Sequence, residues 1–270
     1  MKRFMRLMLA AVLLAAFALV WVVVKDSRPP ADAPSTEPSA TLPANPYTPA
    51  DFQWQDGYLV CTAADTVMGI DVSYHQQEID WQQVKAAGVE FAMIRLGNRG
   101  ISAGDLRIDP MALANLTGAR QAGLRIGAYF YSQAVTVKEA SEEAALALEI
   151  LNGMELDLPL AFDWERESRT ENVDRRTLTD CTIAFCEAVE AAGYTPMVYF
   201  NYYQARDFLY LEELTDYCWW LAMYDTAETF PWRMDLWQYT HTGSVPGITG
   251  NVDINLLFLD HRLGPVFARD

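Results

Sequence analysis

Short apolar segments alternate with amphipathic segments from Val67 to residue 256. The apolar segments show little polar alternation, which is typical of strands buried on both faces of a parallel sheet. The amphipathic segments have helical periodicity and end in Gly, a common signal for a helix C-terminus. We therefore predict strands at 67–72, 90–96, 125–132, 158–164, 195–200, 218–224, 236–240 and 251–256, and helices within 80–88, 110–123, 136–153 and 175–193.

This order of elements predicts an α/β barrel. Repeated strand–helix units of about 30 residues are typical of a closed sheet of parallel strands surrounded by helices. The last three predicted strands are separated by shorter, loop-rich stretches, so we expect eight strands but fewer than eight full helices. In such a barrel the active site lies at the rim formed by the C-terminal ends of the strands.

Two carboxylates stand at the end of the fourth predicted strand, in the stretch LPLAFDWERES. Residues i and i+2 of a strand point to the same side, so Asp163 and Glu165 should both face the barrel mouth and Trp164 should not. Mutual repulsion and burial raise the pKa of one such carboxyl, which can then donate a proton at neutral pH. Cleavage of a glycosidic bond needs such a donor. Alternatively, Arg166 and Arg169 neutralise both acids at a solvated strand end.

Further acids stand at the ends of other predicted strands. Asp71 closes the first strand in GIDVS, and Asp253 lies in the last strand in NVDIN. Because the first and last strands of a closed barrel are neighbours, both side chains can converge on Asp163 and Glu165. A single Asp at a strand end is often a helix cap, but four acids on three strands favour a shared site.

Seven separated segments, spanning about residues 67 to 260, resemble glycoside hydrolase family 25. Members of this family are lysozyme-type N-acetylmuramidases of bacterial cell-wall turnover and phage lysis. The resemblance implies a modified TIM-like barrel, (β/α)5(β)3, with eight strands and about five helices. The segments are GIDVSYHQQEIDWQQVKAAGVEFAMIRLG, GAYFYSQA, LPLAFDWE, AAGYTPMVYFN, WLAMY, LWQYT and GITGNVDIN.

The resemblance also implies roles for the acids. Glu165 would be the general acid, and Asp163 would orient or charge-stabilise the acetamido group of the −1 sugar. The nucleophile would be either this acetamido group or a carboxylate. Asp71 and Asp253 would complete an acidic floor. The chain departs from the family at IRLGNRG, where many members carry K-x-[ST]-E-G after the second strand. Arg95, Asn98 and Arg99 stand there instead, so the resemblance does not define the sugar contacts of that segment.

Aromatic and amide side chains at strand ends are candidates for sugar binding. Tyr129 and Tyr131 share one face of a strand, and the resemblance implies that they line the cleft. Tyr199, Trp237 and Gln238 stand at later strand ends, where an indole can stack on a sugar and an amide can hydrogen-bond its substituents. For the aromatic residues, packing in the barrel core is the alternative.

We expect neither a metal nor a cofactor. The three histidines are scattered, and the four cysteines show no C-x-x-C spacing. Buried free thiols are expected for the cysteines, although an oxidising exterior would permit one disulfide.

The predicted function is hydrolysis of the β-1,4 bond between N-acetylmuramic acid and N-acetylglucosamine, with peptidoglycan glycan strands as the partner. One alternative is a chitinase-like hydrolase of family 18, but those proteins carry D-x-D-x-E, and Ala161 occupies the first acidic position here. A second alternative is a wall-glycan-binding module that does not cleave its ligand.

Charge excludes one class of partner. The first 28 residues hold five basic side chains and one acidic side chain, and because the total is −16, the remainder carries −20. Such an acidic body lacks the basic patches of nucleic-acid-binding proteins. We therefore expect no nucleic-acid partner, and we expect a monomer.

The N-terminal region predicts attachment to a membrane. In residues 1–25, the basic stretch MKRFMR precedes 18 uncharged residues, near the lower limit for a span. We expect a single-pass anchor in a bacterial cell membrane with the body outside, or a secreted protein if the segment is cleaved. Residues 26–50 hold seven of the 13 prolines and predict a linker. A pre-barrel segment, 51–66, and the hydrolase barrel, 67–270, follow.

Overall fold

A closed eight-stranded barrel forms the centre of the protein, as predicted. The computed structural model describes residues 42–224 and 230–267. The first and last barrel strands pair with each other and thereby close the sheet. The strands in chain order are β1 (Phe52–Gln55), β2 (Tyr58–Cys61), β3 (Thr66–Val72), β4 (Phe91–Arg99), β5 (Leu106–Ile108), β6 (Arg125–Ser132), β7 (Leu160–Trp164), β8 (Pro196–Asn201), β9 (Cys218–Ala222), β10 (Leu236–Gly243) and β11 (Val252–Phe258).

The last barrel strand runs in the opposite direction to the other seven. β1 and β2 form a separate hairpin and β5 pairs only with β4, so the other eight strands build the barrel. β11 is antiparallel to both of its neighbours, β10 and β3. The loop between β10 and β11 is too short for the crossover that parallel strands need. The N-terminal end of β11 therefore lies at the same rim as the C-terminal ends of the other barrel strands.

Four α-helices pack against the strands, and each begins within the segment predicted for it. Side chains of Asp80, Thr136 and Asp174 cap three of the starts by accepting hydrogen bonds from main-chain N–H groups of the first turn. A π-helical turn at Gln204–Phe208 follows β8, so the described helices number about five. The α-helices are α1 (Trp81–Ala86), α2 (Ala112–Gln121), α3 (Val137–Leu151) and α4 (Arg175–Ala191).

The outer face of the last strands is covered by the N-terminal part of the described chain rather than by helices. After β8, the described residues contain no α-helix. Tyr47 stacks on Phe258 of β11 with ring centroids 4.8 Å apart, and Phe52 meets Trp237 of β10 edge-on at 4.9 Å. Residues 42–61, here called the N-terminal strap, thus bury the apolar face that helices bury elsewhere on the barrel.

This packing corrects the predicted boundary of the linker. The prediction extended the linker to residue 50, but Leu42 and Tyr47 are only 8% and 5% exposed. The packed body therefore includes residues from 42 onward, and the segment 51–66 contributes the β1–β2 hairpin to it. The predicted membrane segment at 1–25 lies outside the described residues. None of the helices in the described ranges is long and apolar enough to cross a membrane.

The cysteines follow the prediction. Cys181, Cys186 and Cys218 are buried and Cys61 is half-buried, and all four are free thiols. Burial raises the pKa of Cys218 to about 12 and that of Cys181 to about 12. Thiols held neutral in this way are poor nucleophiles.

Candidate active site

A cavity of about 200 Å³ opens at the barrel rim where the four predicted acids meet. A neighbouring cavity of about 530 Å³ shares His75, Arg95 and Tyr131 with it. Another of about 680 Å³ shares Glu165, Tyr199 and Tyr224 with it on the β8 and β9 side. Together they form a cleft that continues from the central cavity in two directions, as an extended polymer requires. The acids that line the central cavity are Asp71, Asp163, Glu165 and Asp253.

Strand register brings these acids together. Asp253 lies directly opposite Asp71 in the β11–β3 ladder. Asp163 lies opposite Tyr131 of β6 and Tyr199 of β8. The alternation along β7 is as predicted, because Trp164 points out of the barrel and donates its indole N–H to Ala134 O at 2.9 Å.

Asp71 is held in place by two amide side chains. Gln238 Nε2 and Asn255 Nδ2 each donate to Asp71 Oδ2 at 2.8 Å. Burial raises the pKa of Asp71 to about 6, and the hydrogen bonds from Asn255 and Gln238 limit that rise. Gln238 Oε1 accepts hydrogen bonds from the hydroxyls of Tyr199 at 3.0 Å and Tyr224 at 2.8 Å. Gln238 therefore lines the cavity as predicted, with its amide already engaged in fixing Asp71.

Asp163 lies at the base of the cavity and is almost fully buried. Burial, followed by the negative charges of Glu165 and Asp71, raises its pKa well above the ordinary value, while Arg95 opposes this rise. Its Oδ1 atom has no hydrogen-bond partner among the described residues. Since buried polar atoms are nearly always paired, an N–H or O–H group of a bound substrate is the natural partner for this oxygen.

Glu165 lies just beyond β7 and is less buried than Asp163. Burial, followed by the negative charges of Glu167 and Asp71, raises its pKa, and a hydrogen bond from Tyr131 partly opposes this. A carboxyl group whose pKa is raised in this way keeps its proton to a higher pH than a free glutamate does, which suits it to protonate a leaving oxygen beside an open cleft.

The nearby arginines do not neutralise the two acids. The guanidinium of Arg166 lies over the Phe208 ring at 4.5 Å and donates to Glu171 O. Arg169 NH2 pairs with Glu139 Oε1 of α3 at 2.6 Å. The alternative reading of a salt-bridged strand end therefore does not hold.

Asp253 makes the stability of the protein depend on pH. Burial, followed by the charges of Asp71 and Glu165, raises its pKa from the ordinary value of 3.8 to about 8. Unfolding lets this carboxyl release its proton, so its contribution to stability is complete below about pH 4 and is lost as pH rises to 8.

We expect the Asp253→Asn variant to melt at the wild-type temperature at pH 4 but a few °C higher at pH 9, on the order of 1 kcal/mol. The amide cannot ionise and so avoids repulsion from Asp71. Thermal unfolding followed by circular dichroism across this pH range measures the effect, with Asp216→Asn, an exposed site, as the control. An equal difference between variant and wild type at both pH values would rule out the proposed origin.

The tyrosines predicted to bind sugar all line the cavity, with different exposure. Tyr131 is partly exposed, whereas Tyr129 and Tyr199 are buried. The latter two contact Trp220 edge-on, at 5.9 and 5.0 Å between ring centroids. Tyr129 and Tyr199 therefore both pack in the barrel interior and line the cavity.

The prediction for Trp237 is corrected by the structure. Trp237 is 2% exposed, does not line the cavity, and donates its indole N–H to Met223 O at 2.8 Å. Alternation along β10 sends Gln238 into the barrel and therefore sends Trp237 outward, under Phe52 of the strap. Its indole packs in the core and offers no face to a sugar.

Sequence reasoning missed several residues of the site. Asn255 stands two positions after Asp253, so the same i, i+2 rule would have found it. Tyr224 stands two residues after the end of β9, and its hydroxyl completes the Gln238 network. Arg95 lines the central cavity, pairs with Asp109 at 2.8 Å and lies over Tyr74 at 4.9 Å.

Candidate metal ligands do not form a metal-binding cluster in the described ranges. Among residues 42–224 and 230–267, no cluster of three or more His, Cys, Asp or Glu side chains is arranged to hold a metal ion.

Comparisons with known proteins bear on the identity of this barrel. The model for glycosyl hydrolases family 25 matches residues 70–248. The chain is 31% identical over 206 residues to the uncharacterized protein YegX of Escherichia coli strain K12, covering 72% of this chain and 70% of that protein. It is 29% identical over 196 residues to the autolytic lysozyme of Clostridium acetobutylicum, covering 69% of this chain and 54% of that protein.

Solved structures share the fold. The modular autolysin LytC from Streptococcus pneumoniae, in complex with a synthetic peptidoglycan ligand, aligns with a TM-score of 0.64 at 24% identity. The alignment covers 77% of this chain and 52% of that chain, so this chain spans about half the length of each of these two autolysins. The resemblance stated from the sequence is confirmed by the family match. The chain belongs to the glycosyl hydrolases of family 25.

Proposed function

We propose that the protein is a lysozyme-type muramidase that cleaves the β-1,4 bond between N-acetylmuramic acid and N-acetylglucosamine in peptidoglycan. The observation that carries the proposal is the meeting of Asp163 and Glu165, both with raised pKa values, at the centre of an extended cleft. An autolytic lysozyme among the relatives supports the choice of substrate.

In the proposed reaction, Glu165 transfers its proton to the glycosidic oxygen as the bond from that oxygen to C1 of the −1 sugar breaks. The carbonyl oxygen of the −1 acetamido group bonds to C1 and closes a charged five-membered ring. The two acids share one proton, and in the form with the proton on Glu165 the ionised Asp163 accepts the acetamido N–H through its Oδ1 and stabilises the positive charge. Water then attacks C1 from the face that the leaving oxygen vacated, the bond from C1 to the acetamido oxygen breaks, and the water gives a proton back to Glu165, which completes hydrolysis with retention.

Of the remaining acids, Asp71 acts through its charge at neutral pH, because its pKa is about 6. Asp71 is fixed by Gln238 and Asn255, so its charge stays close to Asp163 and Glu165 and contributes to the raised pKa of each. Asp253 stands opposite Asp71 and, with a pKa of about 8, is largely protonated at neutral pH. Developing positive charge on the sugar is favoured in this surrounding.

The two alternative functions lack support. A chitinase-like site of family 18 needs a third acid at the position of Ala161, whose methyl group is fully buried in the barrel. A binding module without activity is expected to lack the acid pair or to have it covered, whereas Glu165 lines two connected cavities.

The products of hydrolysis test the proposed bond specificity. We expect the protein to release muropeptides whose new reducing ends become muramitol after borohydride reduction, because the cleaved bond follows the muramic acid C1. Mass spectrometry of reduced products from purified sacculi measures this. Glucosaminitol as the main new end would contradict the proposal, and a digest with the Glu165→Gln variant provides the background.

We also propose a membrane tether for the catalytic body. The basic MKRFMR stretch and the uncharged segment Leu7–Val24 support an anchor, and the proline-rich stretch after it supports a spacer. The acidic barrel would then lie on the outer side of the membrane. Retention of the full-length protein in membranes after a carbonate wash would support this arrangement, and release would argue against it.

A further inference from the structure

Glu165 lies beyond the last paired residue of β7, so the sheet does not fix its main chain. Two side chains do so instead. Gln133 Nε2 donates to Glu165 O at 2.8 Å, and Thr170 Oγ1 donates to the same oxygen at 3.0 Å. The position of the proposed general acid therefore depends on the loops after β6 and β7.

Gln133 is in turn held by an ion pair. Arg169 NH1 donates to Gln133 O, and the Arg169 guanidinium contacts Glu139 of α3 through two hydrogen bonds of 2.6 and 3.0 Å. Glu139 Oε2 also accepts the main-chain N–H of Val135 at 2.8 Å. A bidentate pair of this kind has a defined geometry as well as a charge. The Arg169–Glu139 pair thus joins the loop after β7 to the loop that carries Gln133.

The turn between β4 and β5 closes over this pair. Gly104 approaches the Arg169 guanidinium so closely that a Cβ atom there would lie 2.8 Å from Arg169 Nε. The backbone of Gly104 has a φ of +72°, which favours glycine. Arg99 NH1 holds the same turn by donating to Gly104 O at 2.8 Å, and Arg99 Nε pairs with Glu143 at 2.7 Å. The guanidinium of Arg169 is therefore confined and only 18% of its side chain is exposed.

We infer that the Arg169–Glu139 pair positions Glu165. The pair holds Gln133 against the main-chain carbonyl of Glu165, and it keeps the Arg169 guanidinium away from the Glu165 carboxyl. The inference rests on the proposed role of Glu165. Gln133 Oε1 is buried without a partner in the described part of the chain, so Gln133 keeps this contact to Glu165 at a cost to stability. Packing alone does not account for a buried amide whose oxygen has no hydrogen-bond partner.

The pair acts on Glu165 through its position and not through direct charge. Loss of the contact should let Glu165 turn toward water, which removes the burial that raises its pKa. The acidic and hydroxyl groups around Glu165 are the carboxyls of Asp71, Asp163, Glu167 and Asp253 and the hydroxyls of Tyr129, Tyr131, Tyr199 and Tyr224. The basic side chains that line the two cavities beside Glu165 are His75, Arg95 and Arg166.

The test is the Arg169→Gln variant in the full chain, assayed on soluble uncross-linked glycan strands. We expect kcat to fall about 10- to 100-fold with KM changed by less than about twofold, because the acid is misplaced and substrate contacts remain. The basic limb of the kcat profile should move to lower pH. Glu139→Gln should do the same, and Arg169→Lys should recover part of the rate. Arg176→Gln, which breaks the exposed pairs that this residue of α4 makes with Asp180 and Glu213, is the matched control and should change nothing.

A second readout does not depend on activity. Titration of 13C-labelled glutamate carboxyls by NMR, with Glu165 assigned by its absence in Glu165→Gln, should show a lower pKa for Glu165 in Arg169→Gln. An unchanged pKa, or a rate loss that disappears after correction for the folded fraction measured by thermal melting, would overturn the positioning role. Absence of reducing-end release by the wild type would instead overturn the proposed function, and the titration would still decide the positioning role.

Discussion

Replacing Glu165 with Gln should lower the release of reducing ends from peptidoglycan by about 10³-fold, within the range that a general acid contributes. The amide is nearly isosteric, so it preserves shape, but it cannot give a proton to the leaving oxygen. The rate is measured by reduction of new chain ends, on protein whose circular dichroism spectrum and melting temperature match the wild type.

The control for this experiment lies in the same loop. Glu171 is exposed and follows Glu165 by six residues, so Glu171→Gln tests whether any loss of a carboxylate there slows the reaction. We expect this variant to hydrolyse at the wild-type rate. Undiminished activity of Glu165→Gln would remove Glu165 from the mechanism, and equal losses in both variants would indicate a general effect of charge.

The second large effect concerns the N-terminal strap. Tyr47→Ala in the full chain should lower the free energy of unfolding by about 3 to 4 kcal/mol, as for other large-to-small changes in a core. The ring of Tyr47 stacks on Phe258 and His261, and its hydroxyl donates to Asp260 at 2.7 to 2.8 Å. The loss should appear as a drop of about 10 °C in melting temperature.

Two companion variants separate the causes. Tyr47→Phe removes the hydrogen bond to Asp260 and keeps the ring, so about 1 kcal/mol should be lost. Trp54→Ala removes a strap side chain that is 60% exposed and should cost little. If Tyr47→Ala has the same melting temperature as the wild type, the strap does not belong to the core of the barrel, and the predicted end of the linker at residue 50 stands.

Burial on both faces of the barrel strands explains why the prediction for Trp237 is wrong. Strands of this barrel are apolar on both faces, so the sequence around Trp237 and Gln238 does not say which of the two points inward. The same ambiguity was absent at β7, where two acids stood on one face and a tryptophan on the other. Polar residues at i and i+2 are therefore the informative pattern in such strands.

The sequence by itself determined the eight strands, the four α-helices and the grouping of Asp71, Asp163, Glu165 and Asp253. The strands and helices follow from local periodicity and helix caps, which depend on residues near one another along the chain. The acids could be grouped because a closed barrel places its first strand beside its last.

Only the tertiary structure decided the direction of β11, the covering of β10 and β11 by the strap, and the contacts that hold Glu165. Each depends on residues far apart in the sequence, such as Tyr47 with Phe258 or Arg169 with Glu139. Contacts between residues so far apart depend on how whole elements pack, so local patterns of polarity do not predict them.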